Sequence, residues 1–293
     1  MQEAPTLRPL GVGDIVDRVI RLLRTRPMLY ILIAGLPAVV LAILERLVGI
    51  SRTFDLNDFI PRAGSSGQPL TRLVPTGAQT FVYIFATLVA VVQAAALVEA
   101  ASQRYLGRDL SVSEAYARAL RATPRILLAG LVVVVLISLL IGVPLGVIAV
   151  VVQLTDLPLF FLLFLPIFFV VTPFVLVSWF VVLPAAQLEG AGPIGALRRS
   201  WRLVSGNRWR VIGVLLLLLV LQTVIGVLLS TLFFVSFVTD ANARTVLQEL
   251  VNLASAVVLT PLSWATVVVL YYDLRVRKEA FDLQIAAESL ARA

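Results

Sequence analysis

The stretch Ala196–Leu221, ALRRSWRLVSGNRWRVIGVLLLLLVL, places five arginines and two tryptophans directly before an unbroken apolar run. Arginine and tryptophan are typical of the headgroup level of a bilayer, where an amphipathic side chain keeps its apolar part in lipid and its polar tip in water. The stretch therefore predicts an interfacial helix followed by a membrane span. It also raises the question whether the basic cluster only anchors that span or binds an acidic ligand as well.

The whole chain has the composition of a membrane protein. Of its 293 residues, 60% are hydrophobic, and the mean hydropathy is +0.99. Six continuous apolar runs each reach the roughly 20 residues that cross a hydrocarbon core, and continuous rather than alternating runs favour helices over a barrel. The prediction is one all-α integral membrane domain, residues 1–293, with six transmembrane helices. The runs are Met28–Ile50, Ala78–Leu97, Ile126–Val152, Leu157–Leu183, Val211–Val238 and Val246–Leu270.

The distribution of basic residues predicts the topology. With the N-terminus inside, the cytoplasmic segments hold 19 Lys and Arg residues and the outer loops hold four, a strong positive-inside bias. Both termini and the tail 273–293 are then cytoplasmic, and the Gly-, Pro- and Ser-rich segment 51–77 is an extracytoplasmic loop. The 23 arginines against a single lysine indicate a GC-rich bacterial genome, so we expect a bacterial inner (plasma) membrane.

Three segments of the chain share one plan, in which a basic amphipathic helix is followed by a short break and two spans. The predicted pseudo-repeats are 11–103, 110–189 and 192–282. Their helix starts carry ordinary signals: Ser111 with Glu114 forms a capping box, and Pro193 suits a first turn. Arginines occupy equivalent places in the three basic helices, and a proline or arginine follows six residues later. These positions are Arg21, Arg118 and Arg202, then Pro27, Pro124 and Arg208.

The composition argues against catalysis. The chain has no His and no Cys, which removes the commonest general base and all thiolate chemistry. Glu45, Glu99 and Glu249 lie near the ends of their spans, whereas ion-coupled carriers place acids near the midplane. We expect no catalytic residue, no metal site and no cofactor. The net charge of +7 favours an anionic membrane surface over nucleic acid as the partner.

The basic helices are the candidate site. One interpretation is that they only anchor the spans; the other is that they bind an anionic lipid headgroup, since a guanidinium binds phosphate bidentately. Our leading hypothesis is a non-catalytic module that binds anionic phospholipid, scaffolds a cytoplasmic or membrane protein partner, or does both. The candidate residues are Arg21, Arg118, Arg121, Arg198, Arg199, Trp201, Arg202, Arg208 and Trp209.

The last span and its exit carry a second motif, Tyr272, Asp273, Arg275 and Arg277. The spacing of Asp273 and Arg277, and of Lys278 and Asp282, predicts ion pairs one helical turn apart. Such pairs are typical of a solvated helix that leaves the membrane, and the adjacent tyrosines suit an aromatic belt at the membrane surface. Docking of a soluble partner on this helix is the alternative.

Prolines inside the spans support a different function. Pro144, Pro166, Pro173 and Pro261 each free a backbone carbonyl, which nearby hydroxyls such as that of Ser263 can satisfy. Broken helices form substrate sites in many transporters. A transporter or lipid translocase is therefore the alternative to a lipid-binding module.

Three stretches resemble the glycerophosphoryl diester phosphodiesterase membrane domain family. They are LRPLGVGDIVDRVIRLLRTRP, ALRRSWRLVSGNRWRVIGVLLL and LYYDLRVRKEAFDL. In that family the membrane domain is fused to a soluble barrel whose activity depends on histidines and metal-binding carboxylates. The resemblance implies a stand-alone membrane part without phosphodiesterase activity, and it carries over no catalytic residue.

Overall fold

The structure, a computed structural model, describes residues 10–48, 77–155, 157–232, 240–281 and 283–284. Within those ranges every regular element is a helix. The helices are α1 (Val12–Thr25), α2 (Pro27–Val48), α3 (Gly77–Tyr105), α4 (Val112–Thr155), α5 (Phe164–Pro166), α6 (Thr172–Ser178), α7 (Val182–Leu188), α8 (Pro193–Val204), α9 (Arg208–Leu232) and α10 (Ala241–Glu279). The predicted outer loop 51–77 lies outside the described residues except for Gly77, and so does most of the tail beyond Glu279.

Six helical segments are long and apolar enough to cross a membrane, as the sequence predicts. They are Pro27–Val48, Gly77–Tyr105, Val112–Thr155, Phe164–Leu188, Arg208–Thr231 and Ala243–Glu279. The fold is therefore that of an all-α, multi-pass membrane protein. Several helices extend past the apolar runs into polar residues: α3 continues to Tyr105 and α10 to Glu279.

The basic helix is separate from its span in the first and third units but not in the second. Arg26 leaves helical geometry between α1 and α2, and Pro27 starts α2, where its missing N–H costs nothing. Gly206, with φ +82°, turns the chain between α8 and α9. In the second unit α4 runs unbroken through Pro124, so the predicted break there is wrong. Pro124 frees the carbonyl of Leu120, an exposed residue, which keeps the cost of a helix-interior proline low.

The fourth span is irregular, although its sequence reads as one apolar run. A 3-10 helix at Pro158–Leu163 leads into α5, a π-helical turn at Ile167–Val171 and α6. The helix then breaks, and α7 begins at Val182. The freed carbonyl of Ser178 accepts a hydrogen bond from the Ser200 hydroxyl of α8 at 2.9 Å. Pro144 and Pro261, by contrast, lie inside the continuous helices α4 and α10.

Helix α10 lies at the centre of the bundle. It contacts α1, α2, α3, α7, α8 and α9, and its side chains from Ala265 to Val276 are almost all buried. The outer parts of α4 and α9 expose large aliphatic side chains such as Leu131 and Leu216. Lipid chains are as apolar as leucine, so a surface of this kind is suited to face the bilayer.

Candidate functional site

One end of the bundle collects the basic helices, and we call it the basic end. There α3, α7 and α10 end, α2, α4 and α9 begin, and α1 and α8 pack against them. Arg104 of α3 donates to the Thr25 hydroxyl of α1 at 3.0 Å. The described arginines of this end include some paired with carboxylates, some that lie over aromatic rings, such as Arg18 and Arg208, and some that are exposed without an acidic partner.

Asp273 joins three segments at the basic end. Its side chain is fully buried and accepts the backbone N–H of Leu10 at 2.8 Å, the Arg210 Nε at 2.9 Å and the Arg277 Nε at 3.1 Å. Arg210 and Arg277 both donate to the carbonyl of Leu10 as well. A buried carboxylate needs such compensation, because its desolvation is costly. The chain before α1, the start of α9 and the end of α10 are thereby held together.

Arg199 joins α7, α8 and α10. Its guanidinium contacts both oxygens of Glu189, at 2.7 and 2.9 Å from Nε, and both oxygens of Glu279, the second at 2.7 Å. Its side chain is only 11% exposed. Hydrogen bonds to Glu279, and then those to Glu189, raise the pKa of Arg199 above its ordinary value against the opposing effect of burial. Arg275 also contacts Glu279, at 3.3 Å, and the Tyr271 hydroxyl donates to Glu189.

A third polar cluster surrounds the buried carboxylate of Glu99 near the end of α3. Arg118 of α4 approaches one oxygen at 2.9 Å, and Gln103 donates to the same oxygen at 3.0 Å. The Gln187 amide of α7 donates to the Ala95 carbonyl at 2.9 Å and contacts the other carboxylate oxygen at 3.4 Å. This cluster ties the irregular fourth span to α3 and α4.

The structure corrects the interpretation of the motif at the end of α10. Tyr271, Tyr272 and Asp273 are buried in the core instead of lying on a solvated exit helix. Tyr272 stacks on Tyr105 with ring centroids 5.1 Å apart and shares a 2.7 Å hydrogen bond with Ser102. The predicted Asp273–Arg277 pair is present, whereas the side chain of Asp282 lies outside the described residues. The difference arises because α1 covers this part of α10, which the sequence pattern does not indicate.

Arg208 lies over two aromatic rings. Its guanidinium carbon lies 4.1 Å from the ring centroid of Phe174 and 5.1 Å from that of Trp201. The Arg208 Nε donates to the Ser178 hydroxyl at 3.0 Å. Within the part of the chain that the structure describes, Arg208 forms no ion pair with a carboxylate. Phe174 and Ser178, one turn apart in α6, thus both contact this arginine.

The remaining arginines among the candidate residues, Arg21, Arg121, Arg198 and Arg202, are exposed. None of the four forms an ion pair among the described residues; Arg21 only donates weakly to the Asp17 carbonyl, at 3.4 Å. Trp201 is partly exposed and Trp209 is 86% exposed. We call these four arginines the exposed arginines. The candidate arginines thus differ in their surroundings. Arg118 and Arg199 contact carboxylates, Arg208 contacts aromatic side chains, and the exposed arginines have neither kind of partner within the part of the chain that the structure describes.

A family model described as a domain of unknown function, DUF7847, matches residues 10–274. The chain belongs to the DUF7847 family. No curated protein and no solved structure matches it. The DUF7847 match begins at Leu10 and ends one residue after Asp273. The hydrogen bond between Leu10 and Asp273 therefore connects the two ends of the matched region. The resemblance to the phosphodiesterase membrane domain family remains a prediction.

Sequence reasoning predicted the arginines of the DUF7847 chain and the Asp273–Arg277 pair, but it missed the other acidic partners. Glu189 and Glu279 were not predicted as site residues, and Glu99 was noted only for its depth in the span. One signal could have identified two of them: the second span of each unit has an acidic residue near its end, at Glu99, Glu189 and Asp273. Among the described residues no cluster of three or more acidic side chains is arranged to hold a metal ion.

Proposed function

We propose that this protein is a non-catalytic membrane module that binds anionic phospholipid headgroups with the exposed arginines. The observation that carries the proposal is the division of the basic end into paired and unpaired charges. Acidic side chains within the protein already compensate Arg199, Arg210 and Arg118. The exposed arginines have no such partner in the described residues, so their charge is available to an external anion.

The environment of these arginines favours lipid over a soluble anion. Arg198 and Arg202 lie on α8, directly before the apolar helix α9, and Trp209 projects from the start of that helix. Basic residues beside a membrane span attract anionic lipids by about 1 kcal/mol per charge. Indole rings prefer the same headgroup level. Four such charges at one membrane surface are enough to enrich anionic lipid around the protein.

The proposal places the basic end in the cytoplasm of a bacterial cell, with both termini on that side. Support comes from the arginine distribution in the sequence and from the gathering of the basic helices at one end of the bundle. The cytoplasmic leaflet carries the negative surface potential that such a cluster is attracted to. Phospholipid is then the principal partner, and neither nucleic acid nor a cofactor is required.

Native mass spectrometry of the protein extracted in mild detergent tests this function. The wild type should retain phosphatidylglycerol, and replacing Arg21, Arg121, Arg198 and Arg202 with Gln should remove most of it without unfolding the protein. Arg244→Gln, an exposed arginine at the opposite end, is the matched control and should retain lipid normally. Equal retention by the fourfold variant would contradict lipid binding, and a stoichiometric soluble protein in place of lipid would show a scaffold.

A transporter or lipid translocase is the second candidate, and the irregular fourth span favours it. The π-helical turn at Ile167–Val171 and the break at 179–181 resemble the discontinuous helices that form substrate sites. Gln187 of α7 contacts the carboxylate of Glu99 on α3. Transfer of a fluorescent phospholipid across proteoliposomes tests this candidate. A rate no higher than that of protein-free vesicles, with every lipid supplied, would exclude it.

We also propose that the chain lacks phosphodiesterase activity. The sequence has no histidine or cysteine, and the carboxylates described at the basic end, such as Glu189 and Asp273, are engaged by arginines. A turnover assay with glycerophosphodiesters and added divalent cations should give no product above the rate without protein. Robust turnover would show that the module is an enzyme.

A further inference from the structure

Arg208 is held differently from the other arginines of the basic end. Its guanidinium carbon lies over the rings of Phe174 of α6 and Trp201 of α8, and its Nε donates to the Ser178 hydroxyl. The two rings meet edge to face with centroids 6.0 Å apart. Three helices therefore fix the position of one guanidinium group. Such contacts engage its face and one of its five N–H donors.

The donors that remain on Arg208 have no partner in the described part of the chain. Its two terminal nitrogens carry four N–H groups, and the side chain is only partly exposed. Arg199 and Arg210, which are similarly buried, place the corresponding donors on carboxylates or a carbonyl. A partly buried cation with free donors and no acid beside it is suited to bind an anion from outside the protein.

We propose that Arg208, on its platform of Phe174 and Trp201, binds the phosphate group of a single phospholipid. A stacked guanidinium presents its in-plane edge to a ligand, and this edge matches two phosphate oxygens. The site rests on the proposed lipid-binding function and refines it. Arg208 is also the first residue of α9, where the helix dipole adds a favourable field for an anion. Trp209, next in the chain and strongly exposed, is placed to contact the lipid beside that phosphate.

This site should differ from the exposed arginines in two measurable ways. The phosphate is common to zwitterionic and anionic phospholipids, so Arg208 should retain phosphatidylcholine as well as phosphatidylglycerol. Partial burial protects the interaction from screening by salt, whereas interactions of exposed charges are weakened. The exposed arginines should therefore bind anionic lipid in a salt-sensitive manner, and Arg208 should bind one lipid of either kind even at high salt.

The test uses the full chain, delipidated in mild detergent and titrated with phosphatidylcholine at high salt, with bound lipid counted by native mass spectrometry. The wild type should bind one lipid. Arg208→Lys, which keeps the charge and loses the planar fork, should weaken that binding about tenfold, the loss of roughly one charge-assisted hydrogen bond. Arg244→Lys is the matched control, because Arg244 is an exposed arginine at the opposite end of the bundle, and it should bind as the wild type does.

The melting temperature of each variant separates a lost site from a lost fold. Unchanged phosphatidylcholine binding by folded Arg208→Lys would overturn the proposal, even if the fourfold variant of the exposed arginines lost phosphatidylglycerol as expected. Inorganic phosphate, added as a competitor, identifies the source of the anion. Displacement of the lipid by phosphate alone would mean that a free phosphate fills the same site. Failure to displace it would mean that the acyl chains contribute to binding.

Discussion

The two ends of the bundle are held by different forces. At the basic end, buried carboxylates such as Asp273 and Glu99 bind arginines from neighbouring helices. At the opposite end the ion pair Arg46–Glu249, at 2.5 Å, joins α2 and α10 with side chains 55% and 40% exposed. Exposed pairs contribute little, whereas loss of one partner of a buried pair is costly. Electrostatics therefore fixes the interfacial helices at one end, and apolar contact dominates at the other.

The two ends are predicted to lie on opposite sides of the membrane, and labelling from one side should therefore reach only one of them. The chain contains no cysteine, so a single introduced cysteine can be labelled alone. Arg244→Cys, at the end opposite the basic end, should react with a membrane-impermeant maleimide in intact cells. Arg198→Cys, at the basic end, should react only after the cells are permeabilised. The reverse pattern would place the basic end outside the cell and contradict the proposal that it binds anionic lipid at the cytoplasmic surface of the membrane.

Asp273→Asn should produce the largest loss of stability. The substitution leaves Arg210 and Arg277 without their carboxylate and weakens the attachment of Leu10. Removal of one partner of a buried pair costs roughly 3 kcal/mol or more, which a lower melting temperature in detergent would report. Asp17→Asn, at an exposed position of α1, is the control. Equal melting temperatures for the two variants would show that Asp273 does not hold the basic end together.

Arg199→Gln should destabilise the protein less than Asp273→Asn but still clearly. It leaves Glu189, at the end of α7, and Glu279, at the end of α10, without the guanidinium that both contact, at a cost of about 2 kcal/mol for lost charge-assisted hydrogen bonds. Arg198→Gln, one residue away and exposed, should leave the melting temperature unchanged. The adjacent pair thus compares a paired with an exposed arginine in one helix. A similar loss of stability at both positions would argue against the division of the basic end into paired and exposed arginines.

Arg46→Gln should have the smallest effect on stability. Its partner Glu249 is exposed, and solvent-accessible pairs contribute about 0–1 kcal/mol. Thermal unfolding of Arg46→Gln, Glu249→Gln and the double variant measures the coupling between the two side chains. A coupling as large as that at Asp273 would mean that the two ends are held in the same way.

Much of the fold follows from the sequence, because the bilayer leaves few alternatives. A span must satisfy its own backbone hydrogen bonds, so six long apolar runs already specify six helices. The capping box at Ser111 is also confirmed: Glu114 accepts the Ser111 N–H at 2.9 Å, and the Ser111 hydroxyl accepts the Glu114 N–H at 3.3 Å. Pro193 begins α8 as expected. These features depend on local chemistry that a short window of sequence contains.

The features that the sequence did not reveal depend on contacts between distant segments. Asp273 meets Leu10 from the other end of the chain, and Arg199 meets Glu279 across two helices. Local spacing predicted the Asp273–Arg277 pair but not the burial of Asp273, since that burial is caused by α1. The irregular fourth span is similar: its apolar sequence fits a regular helix, whereas Ser200 and Arg208 from neighbouring helices bind Ser178 at its break. Which arginines remain exposed follows only from that packing.

The selectivity of the basic end for anionic lipid tests the central claim most directly. In vesicles of phosphatidylcholine and phosphatidylglycerol, brominated in one lipid or the other, tryptophan quenching reports the lipid around Trp201 and Trp209 once the other two tryptophans, Trp179 and Trp264, are replaced with Phe in every protein compared. The wild type should be quenched more by brominated phosphatidylglycerol than its share of the bilayer predicts, and raised salt should reduce the excess. With Gln at the four exposed arginines, quenching should follow the bulk composition. An excess that persists in that variant, or none in the wild type, would contradict lipid binding by the exposed arginines.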